Sequence, residues 1–286
     1  DGLDSLVAAG RTLPEALAFL PAVTRTAQAA GAEVLDIARS ADAFGESFGI
    51  SAADMEKAFD LAVKLGKEGK FELKDQARYL PSILPLAATR GLKGLDGLAK
   101  VGAMLQVIRK NSGTSEEAAT ALGDVLGKLD SDETVNKFKK NFGVDLPAAL
   151  KKAKAEGKDT VDAFLDIVEA ATKGDSEKIN KIFADKEARR GLIALMQYRS
   201  ELQRLVGVAR NSAGEVGRDL KQITGDAQSG VDRLSNAWSK FSRVLGDTAA
   251  AEGGSAFLEE WAKNLNASAE AMERFNKARA AGGDLQ

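Results

Sequence analysis

The last third of the chain carries a regular pattern of apolar and small residues separated by polar positions. The pattern advances in steps of three and four residues through Tyr198, Leu202, Leu205, Ala209, Ala213, Val216, Leu220, Ile223, Ala227, Val231, Leu234, Trp238, Phe241 and Leu245. Such steps make a heptad seam interrupted by two extra four-residue steps, as in a coiled coil with stutters. No proline occurs in 186–248. The pattern therefore predicts one long helix over 186–248, roughly 90 Å in length at about 1.5 Å per residue.

A long helix with an apolar seam is stable only when a partner covers that seam. We therefore predict that the larger apolar seam positions are interaction residues. They are Leu202, Leu205, Val216, Leu220, Ile223, Val231, Leu234, Trp238, Phe241 and Leu245. The partner surface could be another copy, the chain's own folded part, or a further helix of the same chain. The two tryptophans, Trp238 and Trp261, both fall on seams, which favours core packing over ligand stacking.

A second apolar stripe follows the break at Gly253 and Gly254. Its members recur at helical spacing and are Phe257, Leu258, Trp261, Leu265, Ser268, Met272 and Phe275. This spacing predicts a C-terminal amphipathic helix over 255–281. We expect this helix to fold back antiparallel on the first seam.

Residues 1–130 are predicted to form an alanine-rich helical lobe, because helix start and stop signals recur along them. Thr12 and Glu15 flank Pro14 in the pattern of a capping box, and Gly31 ends the helix that they open. A second helix is expected over 32–48, where Gly49 provides the stop.

Further helix start and stop signals predict the remaining helices of this lobe. A third helix opens at Ser51, and we expect Pro81 and Pro85 to break the following segment into short pieces, because proline removes a helical hydrogen bond. Helices over 92–110 and from Ser115 to about Gly127 complete the lobe.

Residues 131–185 are predicted to form a second, smaller helical lobe with short, lysine-rich helices. Its predicted core residues are Phe138, Phe142, Leu146, Leu150, Phe164, Leu165, Ile167, Ile179, Ile182 and Phe183. Alanine, leucine, lysine and glutamate recur along the whole chain, and these residues favour helix. The fold class is therefore predicted to be all-α, an irregular stack of helices followed by the long helix and a shorter return helix.

The composition argues against an enzyme. The 286 residues include neither cysteine nor histidine, so a thiolate nucleophile, a serine–histidine dyad and a cysteine-rich zinc site are impossible. Asp130 and Asp132 begin like a calcium loop, but Val135 and Asn141 stand where the loop needs glycine and a bidentate glutamate. We predict no catalytic residue, no cofactor and no metal site.

Nucleic-acid binding is an alternative function. Residues 114–123 followed by 132–140 resemble a helix-turn-helix, with Lys137 and Lys140 on the helix that would enter the groove. The net charge of −2 provides no overall attraction to a polyanion such as DNA, and acidic residues crowd the start of that helix. A DNA-binding regulator therefore remains an alternative, and specific nucleic-acid binding is not expected.

Two features concern membrane segments and whether the chain is part of a longer protein. The longest apolar stretch, near 82–88, is far shorter than the roughly 20 residues that span a bilayer, so no membrane segment is expected here. The chain starts with Asp1 and has no basic–apolar signal pattern. We interpret it as a fragment of a longer protein.

The ordered set of helix signals resembles the core region of phage tail tape measure proteins, over about 12–248. The segments that carry the resemblance are Phe48-Gly49-Ile50-Ser51, Phe71–Leu86, Gly91, Leu92–Ile108, Gly113-Thr114-Ser115-Glu116-Glu117-Ala118-Ala119, Leu122 with Leu126, Phe142-Gly143-Val144-Asp145, Ile182-Phe183 and Asn236-Ala237-Trp238.

This resemblance implies a structural protein of the virion that lies in the lumen of the tail tube and sets tail length as a ruler. It implies assembly in the host cytoplasm, ejection to assist genome delivery and self-association as a trimer. The implied partners are tail tube subunits, tail assembly chaperones and tail-tip proteins. The family has no shared catalytic residues. A cytosolic helical adaptor that binds one folded partner is the other alternative.

Overall fold

A computed structural model describes residues 2–224, and this part of the chain contains helices and no β-strand. The all-α prediction is confirmed. The helices are α1 (Gly2–Ala8), α2 (Leu13–Ala30), α3 (Val34–Phe48), α4 (Met55–Lys67), α5 (Leu73–Thr89), α6 (Gly94–Lys110), α7 (Ser115–Lys128), α8 (Asp132–Phe142), α9 (Leu146–Ala155), α10 (Thr160–Thr172), α11 (Ser176–Ile179), α12 (Lys186–Gln197), α13 (Arg199–Arg210) and α14 (Glu215–Thr224). A 3₁₀ turn over Ala52–Asp54 leads into α4.

The local start and stop signals are where the sequence predicts them. The backbone N–H of Thr12 donates to the Glu15 carboxylate at 2.9 Å, as in a capping box. Gly31 and Gly49 end α2 and α3 with left-handed φ values of 59° and 67°. The Thr114 hydroxyl accepts the backbone N–H of Glu117 at 3.1 Å and so caps α7.

The predicted breaks at Pro81 and Pro85 are wrong, because α5 runs unbroken through both prolines. Pro81 cannot donate to the carbonyl of Ala77, which lies four residues before it. The buried Ser40 hydroxyl of α3 shares its proton between that carbonyl, at 3.3 Å, and the carbonyl of Asp36 in its own helix, at 3.0 Å. A side chain from another helix therefore replaces part of the missing helical hydrogen bond.

Helix α6 lies at the centre of the fold. Its residues from Gly97 to Ile108 are all buried, and α3, α4, α7, α12 and α13 pack around it. The buried Gln106 amide donates to the carbonyls of Leu65 and Phe71, both at 2.7 Å. These bonds satisfy buried backbone groups where the chain passes from α4 to α5.

The helices α8 to α11 share the same apolar core. The rings of Phe138 and Phe164 lie 5.8 Å apart, and those of Phe164 and Phe183 lie 6.0 Å apart. Lys100 of α6 is buried, and its ammonium lies 2.6 Å from the carboxylates of both Asp159 and Asp162. This ion triplet ties the start of α10 to the central helix.

The prediction of one uninterrupted helix is wrong for residues 186–224, which form α12, α13 and α14. The first break is a single residue, Tyr198, with φ −107° and ψ 31°. The second is the turn 211–214, in which Gly214 adopts a φ of 76°. Residues 2–223 form one compact unit, called the folded unit below.

Candidate functional site

The candidate site is the heptad seam, and the described part of it lies within the folded unit. Leu202 and Leu205 of α13 are buried, as is Val216 of α14, and Leu220 of α14 is half-buried against the same core. These four positions therefore pack inside the unit in this structure. The seam residues Ile223, by its side chain, and Val231, Leu234, Trp238, Phe241 and Leu245 lie outside the described residues, as does the predicted helix over 255–281.

Helix α13 is anchored on α4 and α6 by apolar contact and by ion pairs at its edge. Glu201 lies 2.9 Å from the Lys110 ammonium and 2.7 Å from the Arg204 guanidinium. Arg204 also pairs with Glu68 at 3.0 Å. Hydrogen bonds from Arg204 and Lys110 lower the pKa of Glu201 to about 2. The edge of α13 is thus a charge network, but its buried side chains provide the larger anchor.

Helix α14 packs Val216 and Leu220 against the core and makes polar contacts with α4. The buried Asp60 carboxylate accepts the backbone N–H of Gly214 at 2.7 Å and that of Val216 at 2.8 Å. These are amide groups at the start of a helix, which have no partner within the helix itself. Asp60 therefore caps α14 from another helix that lies far earlier in the chain.

A lysine completes this attachment. The Lys67 ammonium at the end of α4 pairs with Glu215 at 2.8 Å and also with Asp219. Burial alone would lower the pKa of Lys67, but the bonds to Asp219 and Glu215 raise it. Burial would conversely raise the pKa of Glu215, and the bonds from Lys67 and Arg218 lower it. Each partner therefore holds the other in its charged form.

Comparison with known proteins identifies the class of molecule to which this arrangement belongs. A family model described as phage-related minor tail protein matches residues 1–185. The chain belongs to this family. A probable tape measure protein of Burkholderia phage BcepMu is 29% identical over 273 residues, which cover 86% of this chain and 32% of that protein. The chain thus spans about a third of the length of this relative. No solved structure matches the chain.

The phage-related minor tail family consists of structural proteins of the phage tail, so the resemblance found in the sequence is confirmed. Within residues 2–224, no cluster of three acidic side chains is arranged to hold a metal ion. The two aspartates of the calcium-like segment have other contacts: Asp130 pairs with Arg90 at 2.5 Å, and Asp132 opens α8. None of the described helices is long and apolar enough to cross a membrane.

The helix-turn-helix alternative corresponds to α7 and α8. Of the lysines on α8, Lys137 pairs with Glu133 of the same helix at 2.8 Å, and Lys139 and Lys140 are exposed. The helix buries Phe138 in the core. In this family member, α8 thus has the ordinary pattern of a surface helix with a solvated lysine face.

Sequence reasoning missed Asp60 and Lys67, although one signal was present. Asp60 stands within the otherwise apolar run 58–63 of α4. An acid on a buried helix face needs hydrogen-bond donors, and here the donors are the amides of a distant turn. The sequence could indicate that Asp60 has a buried partner, but it could not identify that partner.

Proposed function

We propose that this chain is the part of a tape measure protein in which a folded module leads into the length-determining segment. The observation that carries the proposal is the division of the seam. Its heptad positions up to Val216, except the exposed Ala213, are used for packing within the folded unit, whereas the same register continues in the sequence to Leu245. We therefore assign the ruler role to the seam positions beyond Ile223, and the role of an end module to the folded unit.

The physical basis of the ruler is the fixed rise of a helix, about 1.5 Å per residue. A helical segment inside a polymerising tube therefore measures length in proportion to its residue count. A heptad seam makes such a segment stable when copies associate, and a trimer is the expected assembly. Compact helical packing, as in residues 2–223, gives no such proportionality, and this supports separating the two roles.

The proposed site of action is the lumen of the virion tail tube, after assembly in the host cytoplasm. Tail tube subunits would polymerise around the ruler, assisted by tail assembly chaperones, and tail-tip proteins would bind one end. Ejection before the genome would then assist delivery. Membership in a structural phage tail family and the similarity to a probable tape measure protein support this proposal.

Tail length in particles made from the full-length gene tests the ruler. Four additional copies of 231–244, inserted in frame after residue 244, should lengthen tails by about 84 Å at the helical rise. The matched control inserts the same four copies between Gly157 and Lys158, in the exposed turn that joins α9 and α10. This insertion should leave the length unchanged, because the turn lies within the folded module.

Electron microscopy of purified tails provides the measurement. Tails of normal length from the seam insertion would contradict the ruler role of this segment. A deletion of 231–244 alone, expected to shorten tails by about 21 Å, checks the same proportionality in the opposite direction. A deletion of 186–248 would be less informative, because it removes Leu195 and Leu205 from the core of the folded unit.

A further inference from the structure

The chain turns between α13 and α14, although the apolar residues keep the spacing of one continuous helix across this turn. Leu205, Ala209, Ala213, Val216 and Leu220 follow one another in steps of four, four, three and four residues. This is the spacing of a continuous helix face. Ala213 is exposed in the bent arrangement, so its place in the register has no packing role there.

Contacts from α4 hold this bend. Arg204 of α13 pairs with Glu68, and Asp219 of α14 pairs with the adjacent Lys67, so both helices return to the same end of α4. Gly214 supplies the left-handed backbone with a φ of 76°, and Asp60 accepts the amides that follow. The turn contains no proline, so no residue in it prevents this segment from forming a helix.

We propose that α14 is a latch that opens by straightening the 211–214 turn, which converts α13 and α14 into a single helix from Arg199 to Thr224. α13 stays anchored by Leu202 and Leu205, while α14 leaves α4 and exposes Val216 and Leu220 to solvent. This proposal goes beyond the role in the tail and does not depend on whether the chain sets tail length.

The balance between the two states rests on few groups. Opening exposes Val216 and the rest of half-buried Leu220, and it returns the charges of Asp60, Lys67 and Glu215 to water. The straight helix gains the backbone hydrogen bonds that the turn lacks. Lys67 is partly exposed, so water and salt screen its ion pairs in part, although the Glu215 side chain itself is buried.

Distance measurement between two spin labels distinguishes the states. The chain has no cysteine, so the double variant Gln203→Cys and Lys221→Cys carries only the two intended labels, both at exposed positions. In one straight helix these positions lie on the same face, about 27 Å apart at the helical rise. In the latched state both helices return to the end of α4, and we expect a shorter distance.

Gly214→Ala shifts the balance in a defined direction. A Cβ opposes the left-handed turn and favours helix, so the ratio of straight to bent molecules should rise about tenfold or more. Gly207→Ala is the matched control: it adds the same methyl group in open space within α13 and should leave the distance distribution unchanged. Circular dichroism should show no loss of helix in either variant.

Adding Ala213→Pro to Gly214→Ala should reverse that increase, because proline removes the helical hydrogen bond to the carbonyl of Ala209 and so penalises the straight helix. Three results would overturn the latch. The long-distance population could fail to grow in Gly214→Ala, it could stay as large when the proline is added, or it could grow only together with a loss of helical signal.

Discussion

Helices α12 and α14 come from one stretch of sequence but are held to the folded unit in different ways. α12 buries Leu192 and Leu195 completely and lies close against α7. A Cβ on its Gly191 would lie 2.8 Å from the Ala121 carbonyl oxygen, so only glycine permits this approach. α14 buries Val216 fully and Leu220 in part, and it is also attached through Asp60 and Lys67.

The difference teaches that two parts of a stretch predicted to be one helix need not be anchored in the same way. Close apolar packing leaves a helix no alternative position, since a packed core tolerates little displacement. Attachment through carboxylates and an ammonium leaves an alternative, because water can solvate the same groups when the helix leaves. We therefore expect α12 and α13 to be held more firmly in the folded unit than α14.

The largest expected effect concerns the apolar anchors. Leu205→Ala should lower the free energy of unfolding by about 2–5 kcal/mol, because it leaves a cavity in a fully buried site. Leu220→Ala removes the same atoms from a half-buried site and should cost roughly 1 kcal/mol. Urea denaturation followed by circular dichroism measures both values. Equal losses in the two variants would show that α13 and α14 are anchored alike.

The polar cap on α14 should have an intermediate effect. In Asp60→Asn the amide oxygen retains one of the two backbone hydrogen bonds and the charge is lost, so about 1–2 kcal/mol of stability should disappear. Asp145→Asn is the control, because Asp145 caps α9 through a single bond to Ala148 at 3.0 Å and asparagine caps equally well. If Asp60→Asn left the free energy of unfolding unchanged in the same denaturation experiment, the cap from Asp60 would be ruled out as an anchor of α14.

The charge network at the edge of α13 should contribute least. Because folding lowers the pKa of Glu201 from 4.5 to about 2, its contribution is present above pH 4.5 and is lost as the pH falls towards 2. Near neutral pH, the free energy of unfolding of the wild type should exceed that of Glu201→Gln by under about 1 kcal/mol, since the Glu201 carboxylate is close to solvent. The difference between their denaturation midpoints should close in acid, and a difference that is constant with pH would contradict this assignment.

Glu116→Gln provides the charge-matched control for that comparison. Glu116 is exposed and makes no ion pair within the part of the chain that the structure describes. Its substitution removes the same single charge without removing an ion pair of the described residues, so it isolates the effect of the charge alone.

Local signals explain why much of the fold could be predicted from the sequence. Thr12, Gly31, Gly49 and Thr114 act on backbone groups within a few residues, so their effect is written in the adjacent sequence. Pro81 misled the prediction because the group that compensates for it, Ser40, lies on another helix.

The seam shows the same limit at the candidate site. Its periodicity predicted that Leu202, Leu205 and Val216 are buried, but periodicity does not specify which surface covers them. The turn before α14 donates two backbone hydrogen bonds to Asp60, which lies far earlier in the chain, and no local rule connects the two positions. Contacts between residues so distant in sequence are decided by the packing of the whole unit.

Hydrogen exchange of the backbone amides tests most directly whether one heptad stretch is anchored in two ways. Mass spectrometry of the wild-type chain under native conditions compares amides in α13 with those in α14. We predict that 202–209 exchange as slowly as the central helix α6, and that 217–222 exchange about a hundredfold faster or more. Equal protection of both helices would contradict the account, since it would mean that they open and close as one unit.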